Sequence, residues 1–216
     1  MKITKKSREI LTAVSIGDGY VNTSGGVSIR HCLAQKDYLI WKSIMLRKCG
    51  YSCKEPVYVE NNKYGGYETY VHSTSFGKLI RSIKNNSKDK IPMNLFKKMT
   101  KTGLAIWYMD DGSLSHRKDY KGNRKSAVIT ISTCTTKSNN QDIIDHLFEE
   151  FGVKFTQRKM KNSYSLTCGA REGRKFIEII KDTVNQVPSM KYKIDIMKPK
   201  RPSTTEKQQE TLNLVE

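Results

Sequence analysis

Leu11-Thr-Ala-Val-Ser-Ile-Gly-Asp18-Gly19 and Leu104-Ala-Ile-Trp-Tyr-Met-Asp-Asp111-Gly112 are two short stretches of similar design. Each begins as an apolar run typical of a buried helix, and each ends in an aspartate followed by a glycine. The repetition indicates one structural unit encoded twice, so that each copy contributes one carboxylate.

The ending of each stretch predicts where a helix stops. Glycine adopts the left-handed conformation without steric cost, so Gly19 and Gly112 are expected to end the two helices there. A carboxylate at a helix C-terminus is unfavourable by about 0.3–1 kcal/mol, and two that lie close together repel each other unless a cation lies between them. A single Asp-Gly is an ordinary turn signal, but two copies that each close an apolar helix favour a divalent metal site, most simply for Mg²⁺.

Both stretches resemble the motif of the LAGLIDADG homing endonucleases, in the single-chain form that carries the motif twice. The resemblance implies that Asp18 and Asp111 are catalytic residues and metal ligands. The preceding residues, Gly17 and Asp110, are included in the predicted metal site, with the backbone of Asp110 rather than its side chain expected to contribute. It also implies Mg²⁺ as the cofactor, with Mn²⁺ as a substitute and Ca²⁺ supporting binding without cleavage.

Close contact between the two motif helices is better supported for the first copy. Ala13 and Gly17 stand at i, i+4 spacing and form a small face. The corresponding Ala105 and Met109 of the second copy are bulkier.

The chain is 216 residues long and strongly basic, with 39 Lys and Arg against 21 Asp and Glu, a formal net charge of +18. Such a charge predicts a polyanionic partner, and RNA-binding proteins share it. The five cysteines are odd in number and form no CxxC pair, which is typical of reduced intracellular proteins. Cys49 and Cys53 with His31 or His72 match no common zinc finger, so free thiols are favoured. We expect a soluble intracellular protein of the cytoplasm or an organelle matrix, with no membrane segment.

The spacing of apolar and turn residues predicts the order helix, two strands, helix, two strands, helix in each half. We expect an α+β protein with an N-terminal LAGLIDADG half at 1–98, a C-terminal LAGLIDADG half at 99–198 and a polar tail at 199–216. The resemblance implies that two pseudo-symmetric αββαββα units form a saddle of two antiparallel sheets, with the motif helices packed at its centre.

Antiparallel strands with outward polar side chains can enter the DNA major groove. The predicted DNA-binding set is Ser28, Arg30, Tyr58, Lys63, Tyr64 and Tyr70 in the first half, and Arg117, Lys118, Lys121, Arg124, Arg158, Lys159 and Tyr164 in the second. For any single member, a solvated basic rim is about as expected as a base contact.

The family also places a basic residue near the reacting phosphate in each half. Lys193, within Pro188-Ser-Met-Lys-Tyr-Lys193, matches this setting. Its counterpart in the first half is Lys90, with Lys88 as the alternative.

The resemblance therefore predicts a monomeric, site-specific double-strand DNA endonuclease that hydrolyses one phosphodiester per strand of a long asymmetric target, with an intron as its expected genetic setting. Two alternatives stay open, namely a splicing maturase that binds intron RNA and an inactive DNA-binding regulator of the same fold. No N-terminal catalytic cysteine or C-terminal His-Asn pair flanks the domain, so we do not expect it to be embedded in an intein.

Overall fold

The predicted element order occurs twice in the computed structural model. The structure describes residues 4–60, 65–86, 91–118, 120–122, 124–161 and 163–196. Within these ranges, residues 86, 117, 118, 124 and 125 are described by their backbone alone. The first repeat consists of α1 (Lys5–Ile16), β1 (Gly19–Val21), β2 (Val27–Cys32), a 3₁₀ turn (Leu33–Gln35), α2 (Lys36–Lys48), β3 (Val57–Val59), β4 (Gly66–Val71), α3 (Ser75–Asn86) and α4 (Met93–Phe96). The second repeat consists of α5 (Lys101–Asp111), β5 (Gly112–Lys118), β6 (Arg124–Thr135), α6 (Lys137–Phe151), β7 (Thr156–Lys159), β8 (Tyr164–Gly169), α7 (Ala170–Val184) and a 3₁₀ helix (Pro188–Lys193).

Each repeat forms one four-stranded antiparallel sheet, in the orders β1-β2-β4-β3 and β5-β6-β8-β7. Strand β2 shows why each sheet has two unlike faces, because Val27, Ile29 and His31 are buried whereas Arg30 between them is exposed. The predicted α+β fold with two antiparallel sheets is confirmed.

The motif helices α1 and α5 pack against each other between the two sheets. All residues from Leu104 to Met109 are buried, including Trp107, whose ring packs edge-on against Phe96 at a centroid distance of 5.0 Å. This full burial explains why the motif runs are apolar on every side rather than along one stripe. None of the described helices is long and apolar enough to cross a membrane.

The expectation that Gly19 and Gly112 take the left-handed conformation is wrong. Gly112 is extended, with φ −87° and ψ 153°, and Gly19 is the first residue of β1. Glycine is required because the chain folds back on its own helix: a Cβ on Gly19 would lie 2.6 Å from the Val14 carbonyl oxygen, and one on Gly112 would lie 2.0 Å from Tyr108 Cδ2.

Two other expectations need correction. The basic Gly-Asn stretch at 117–125 predicts a loop over its whole length, but the β5–β6 pairing continues past a bulge at Arg117 and Lys118 to the Lys118–Arg124 pair, so the two strands include both ends of the stretch. The 3₁₀ helix that carries Lys193 was not predicted. The expected tail at 199–216 lies outside the described residues, and the division into an N-terminal half at 1–98 and a C-terminal half at 99–198 stays a prediction.

Helix α1 also holds the beginning of α5. The carboxylate of Glu9, which is buried, accepts hydrogen bonds from the Thr100 backbone N–H at 2.9 Å, the Thr100 hydroxyl at 2.5 Å and the Gly103 N–H at 3.0 Å. These donors are otherwise unsatisfied groups at a helix N-terminus, where a negative charge is also favourable. Glu9 therefore caps α5 from the other repeat.

We expect Glu9→Gln to lower the free energy of unfolding by about 1–2 kcal/mol, because an amide oxygen is a weaker acceptor than a carboxylate at a helix N-terminus. Urea denaturation measures the loss. Glu149→Gln, at an exposed position of α6, is the matched control and should change stability by less than about 0.5 kcal/mol. Equal stability of the two variants would show that the cap contributes nothing.

Candidate active site

The C-terminal ends of α1 and α5 meet in direct contact. The Asp18 N–H donates to Asp110 Oδ2 at 3.2 Å, which joins the two motifs. A Cβ on Gly17 would lie 2.3 Å from the same oxygen, so only glycine permits this approach. The contact occurs at the small face predicted for the first helix.

The side chain of Asp110 is held inside the protein. Its Oδ1 accepts from Lys42 Nζ at 2.5 Å and from the Tyr38 hydroxyl at 2.7 Å. The side chains of Asp110 and Lys42 are both 0% exposed, so the ion pair is fully buried. With these partners and the Asp18 N–H, the Asp110 carboxylate holds the ends of the two motif helices together. Its side chain was not the expected metal ligand.

Sequence reasoning missed Lys42 and Tyr38. They stand four residues apart on one face of α2, and Lys42 is buried together with the apolar Leu39 and Leu46. A lysine at a buried helical position is a signal for a partner carboxylate, but nothing local identifies that partner as Asp110.

His31 is held as a neutral ring beside these groups. Its Nε2 accepts from Lys42 Nζ at 3.0 Å, so Nδ1 carries the proton and donates to Gln35 Oε1 at 3.2 Å. Burial, followed by the charge of Lys42, lowers the pKa of His31 to about 4. Both ring nitrogens are engaged, and Nδ1 lies 3.7 Å from Asp18 Oδ2.

The described residues contain one group with metal-ligand spacing. The ligand atoms of Asp18, His31 and Asp110 all lie within 4.8 Å of one another. Because His31 and Asp110 have internal partners, Asp18 is the member with a free oxygen. No cysteine belongs to this group, and all five thiols are unpaired.

The carboxylates of the two motifs share one electrostatic environment. Burial, then the charges of Asp110 and Asp18, raise the pKa of Asp111 to about 7. Burial, then the charge of Asp110, also raises the pKa of Asp18, whose side chain is 40% exposed. The site therefore disfavours its own negative charges, and hard oxygen donors in this condition fit a divalent cation.

Lys193 lies in the same cluster. Its Nζ donates to the Met109 carbonyl and, at 3.5 Å, to the Asp110 carbonyl, which places a cation at the negative end of α5. Burial lowers the pKa of Lys193, although Asp110, Asp18 and Asp111 act in the opposite direction. The other predicted lysine, Lys90, and its alternative Lys88 lie outside the described residues.

The predicted DNA-binding residues divide between the two faces of the sheets. On the first sheet, Ser28, Arg30 and Tyr70 lie on the outward face, and their contact with DNA stays a prediction. On the second sheet, Arg158 is opposite Ser165 on the outward face. Lys121 is exposed, Lys63 and Tyr64 lie outside the described residues, and Arg117, Lys118 and Arg124 are described by backbone alone.

Three predicted residues lie on the face opposite to the one expected. Tyr58 on β3 is paired with Tyr67 on β4, which is paired with the buried His31 on β2. Residues paired across a sheet share one face, so Tyr58 lies on the helix-covered face. Lys159 is paired with Tyr164, next to the outward pair of Arg158 with Ser165. Because side chains alternate between faces along a strand, Lys159 and Tyr164 both lie on the inward face. A one-residue difference in register reverses every side chain of a short edge strand.

A model of the LAGLIDADG DNA endonuclease family matches residues 8–176. The chain belongs to this family. The predicted family membership is therefore confirmed, and the LAGLIDADG motifs are the two stretches that end in Asp18 and Asp111.

The LAGLIDADG fold of this chain is similar to solved structures. The homing endonuclease I-WcaI bound to its DNA recognition sequence superposes with a TM-score of 0.74 at 21% identity, covering 90% of this chain and 88% of that one. A variant of I-DmoI in complex with its target DNA in the presence of Mn gives a TM-score of 0.51 at 16% identity, covering 87% of this chain and 100% of that one. The N-terminal LAGLIDADG domain of DUF199/WhiA gives a TM-score of 0.52 at 13% identity, covering 83% of this chain and 86% of that one.

Curated relatives include a RecA protein of Mycolicibacterium fallax, which is 27% identical over 177 residues, covering 78% of this chain and 40% of the relative. A RecA protein of Mycobacterium shimoidei is 23% identical over 199 residues, covering 86% of this chain and 45% of the relative. The chain thus spans less than half the length of these relatives.

We expect Lys42→Met to lower the free energy of unfolding by about 3 kcal/mol or more, because Asp110 would keep a buried charge without its counter-ion. The double variant Lys42→Met with Asp110→Asn should recover part of that loss, since the unpaired buried charge is removed and the amide oxygen still accepts from Tyr38, whereas the amide nitrogen cannot accept from the Asp18 N–H. Urea denaturation measures both, with the exposed Lys48→Met on the same helix as control. A Lys42→Met protein as stable as the control would contradict the assignment.

We expect Asp111→Asn to become stabilising as the pH rises. The pKa of Asp111 is about 7 in the folded protein against an ordinary value of 3.8, so its favourable contribution is complete below pH 3.8 and is lost as the pH rises through 7. Without divalent cations, the variant should match wild type near pH 4 and exceed it by at least about 1 kcal/mol at pH 8. Denaturation curves across this range measure the difference, and exposed Asp182→Asn should show no such trend.

Proposed function

We propose that this chain is a site-specific homing endonuclease that hydrolyses one phosphodiester in each strand of a long, asymmetric DNA duplex. The observation that carries the proposal is the contact between the ends of the two motifs, where the Asp18 N–H donates to Asp110 Oδ2, the residue next to Asp111. Asp18 and Asp111 each come from one repeat, and the charge of Asp18 raises the pKa of Asp111.

Asp18 and Asp111 are the residues proposed to hold divalent metal. Gly17 contributes by its lack of a side chain, and Asp110 contributes by bracing the backbone of Asp18. When bound, Mg²⁺ would polarise the phosphate, acidify a bound water and stabilise the leaving oxygen. We expect Mn²⁺ to substitute and Ca²⁺ to support binding alone, and the Mn present with the I-DmoI complex is consistent with a divalent ion.

Lys193 is proposed to offset the negative charge that develops on the phosphate. Its ammonium is buried beside the α5 carbonyls, and the charges of the three aspartates partly offset the lowering of its pKa by burial. A positive charge fixed in advance in a partly dry site acts strongly on a developing anion. Lys90 is proposed as its counterpart for the other strand, with Lys88 as the alternative.

The two outward sheet faces are proposed to bind the two halves of the target as a monomer. The first sheet presents Arg30 and Tyr70, whereas the second presents Arg158 and several hydroxyl side chains. Unlike faces predict an asymmetric target, in contrast to the palindromes bound by homodimers. The net charge of +18 predicts binding that weakens steeply with salt, and the DNA bound to I-WcaI on the same fold supports this partner.

The test is cleavage of a randomised duplex library with Mg²⁺ by wild type, Asp18→Asn and Asp111→Asn. We expect wild type to cut a discrete set of sequences, and each variant to lose at least about a hundredfold in rate because a metal ligand is removed. Asp182→Asn, an exposed position of α7, is the control and should cut like wild type.

Each other result points to a different function. Unchanged cutting by both variants would refute the catalytic assignment. Selective duplex binding without cutting would favour the inactive regulator. A wild type that never cuts DNA but restores splicing of an intron in vitro would favour the maturase.

A further inference from the structure

The outward face of the first sheet carries one carboxylate among its polar side chains. Glu68 on β4 stands directly opposite Arg30 on β2, and the neighbouring pair is Ser28 with Tyr70. Arg30 is exposed and Glu68 is half-buried. The Ser28 hydroxyl donates to Glu68 Oε1, which orients the carboxylate.

Arg30 and Glu68 do not form one of the ion pairs found among the described residues. Directly opposite residues on an antiparallel pair have Cβ atoms about 4.5–5.5 Å apart. The guanidinium and the carboxylate therefore lie side by side on one face without neutralising each other. Both remain available to a ligand that offers an acceptor next to a donor.

On a face that binds DNA, a carboxylate is unfavourable because phosphates repel it. Only a hydrogen-bond donor on a base edge compensates for this. In the major groove, guanine and thymine present acceptor atoms, and adenine presents an acceptor beside its amino group. Cytosine presents its N4 amino group without an acceptor, so it suits a carboxylate best.

We propose that Arg30 and Glu68 together recognise one C·G base pair in the half of the target bound by the first sheet. Glu68 accepts from cytosine N4, and Arg30 donates to O6 and N7 of the paired guanine. The side-by-side arrangement of the two side chains matches the adjacent donor and acceptor atoms of that base pair. This inference rests on the proposed function and assigns Glu68, which is not a member of the predicted DNA-binding set, as a specificity-determining residue.

The second sheet has no equivalent pair among its described outward residues. There the register aligns one hydroxyl side chain on each of the four strands. These are Ser113, Thr130, Thr167 and Thr156. Hydroxyl groups both donate and accept and discriminate bases less strictly. The Arg30–Glu68 pair would therefore make the two halves of the target chemically different.

The experiment selects a randomised duplex library for binding, without divalent metal so that cleavage plays no part, by wild type, Glu68→Ala, Glu68→Gln and Arg30→Ala. Wild type should favour C·G at one position. Glu68→Ala and Arg30→Ala should each reduce that preference by about tenfold at the same position. Glu68→Gln should shift it toward A·T, since an amide pairs with adenine N6 and N7.

Glu150→Gln is the matched control, since it also removes one negative charge, but from an exposed position on α6. It should tighten binding to all sequences equally, and thermal melting checks that every variant is folded. The inference is overturned if Glu68→Ala behaves like this control, or if Arg30→Ala relaxes a different base pair. If wild type selects no duplex sequence at all, the proposed function fails together with this inference, whereas intact selectivity in Glu68→Ala refutes this inference alone.

Discussion

The buried contact between Asp110 and the end of helix α1 is the interaction on which the site depends. Two helix C-termini meet where their dipoles and charges repel, and each has a motif carboxylate at or just after its last turn. The hydrogen bond from the Asp18 N–H to Asp110 and the ion pair between Asp110 and Lys42 hold them together. Lys193 adds a cation at the end of α5. The protein thus compensates the charge of Asp110 internally, whereas Asp18 and Asp111 are the carboxylates proposed to bind metal.

Among the described residues, this bracing is present in one repeat only. The third and seventh residues of α2 are Tyr38 and Lys42, whereas those of α6 are Asn139 and Ile143. Asn139 instead donates to the Ile91 carbonyl at 3.0 Å. The asymmetry follows from the motifs, because Asp110 in the second stands where the first has Gly17. Two copies of one fold therefore position their aspartates by different side chains.

Much of the fold was predictable because its signals are local. The apolar spacing from Lys137 to Phe151, with Gly152 after it, predicts a helix over this range, and α6 has these bounds; Gly152 does take a left-handed conformation at φ 67°. The same reasoning failed at Gly112, because there the absent side chain makes room for Tyr108 rather than for a turn. Strand faces were predictable in β2, where burial alternates clearly, and not in the short edge strand of Tyr58, where no local pattern specifies register.

The sequence by itself determined the duplicated αββαββα design, the basic surface and the two motif aspartates, since repetition and helical periodicity are written in neighbouring residues. Only the tertiary structure decided which groups surround those aspartates. Lys42 lies 68 positions from Asp110 and becomes its partner because α2 packs beside the motif helices. The neutral state of the His31 ring and the position of Arg30 directly opposite Glu68 likewise depend on contacts between distant segments. Burial and electrostatics act through space, so they cannot be assigned until the chain is folded.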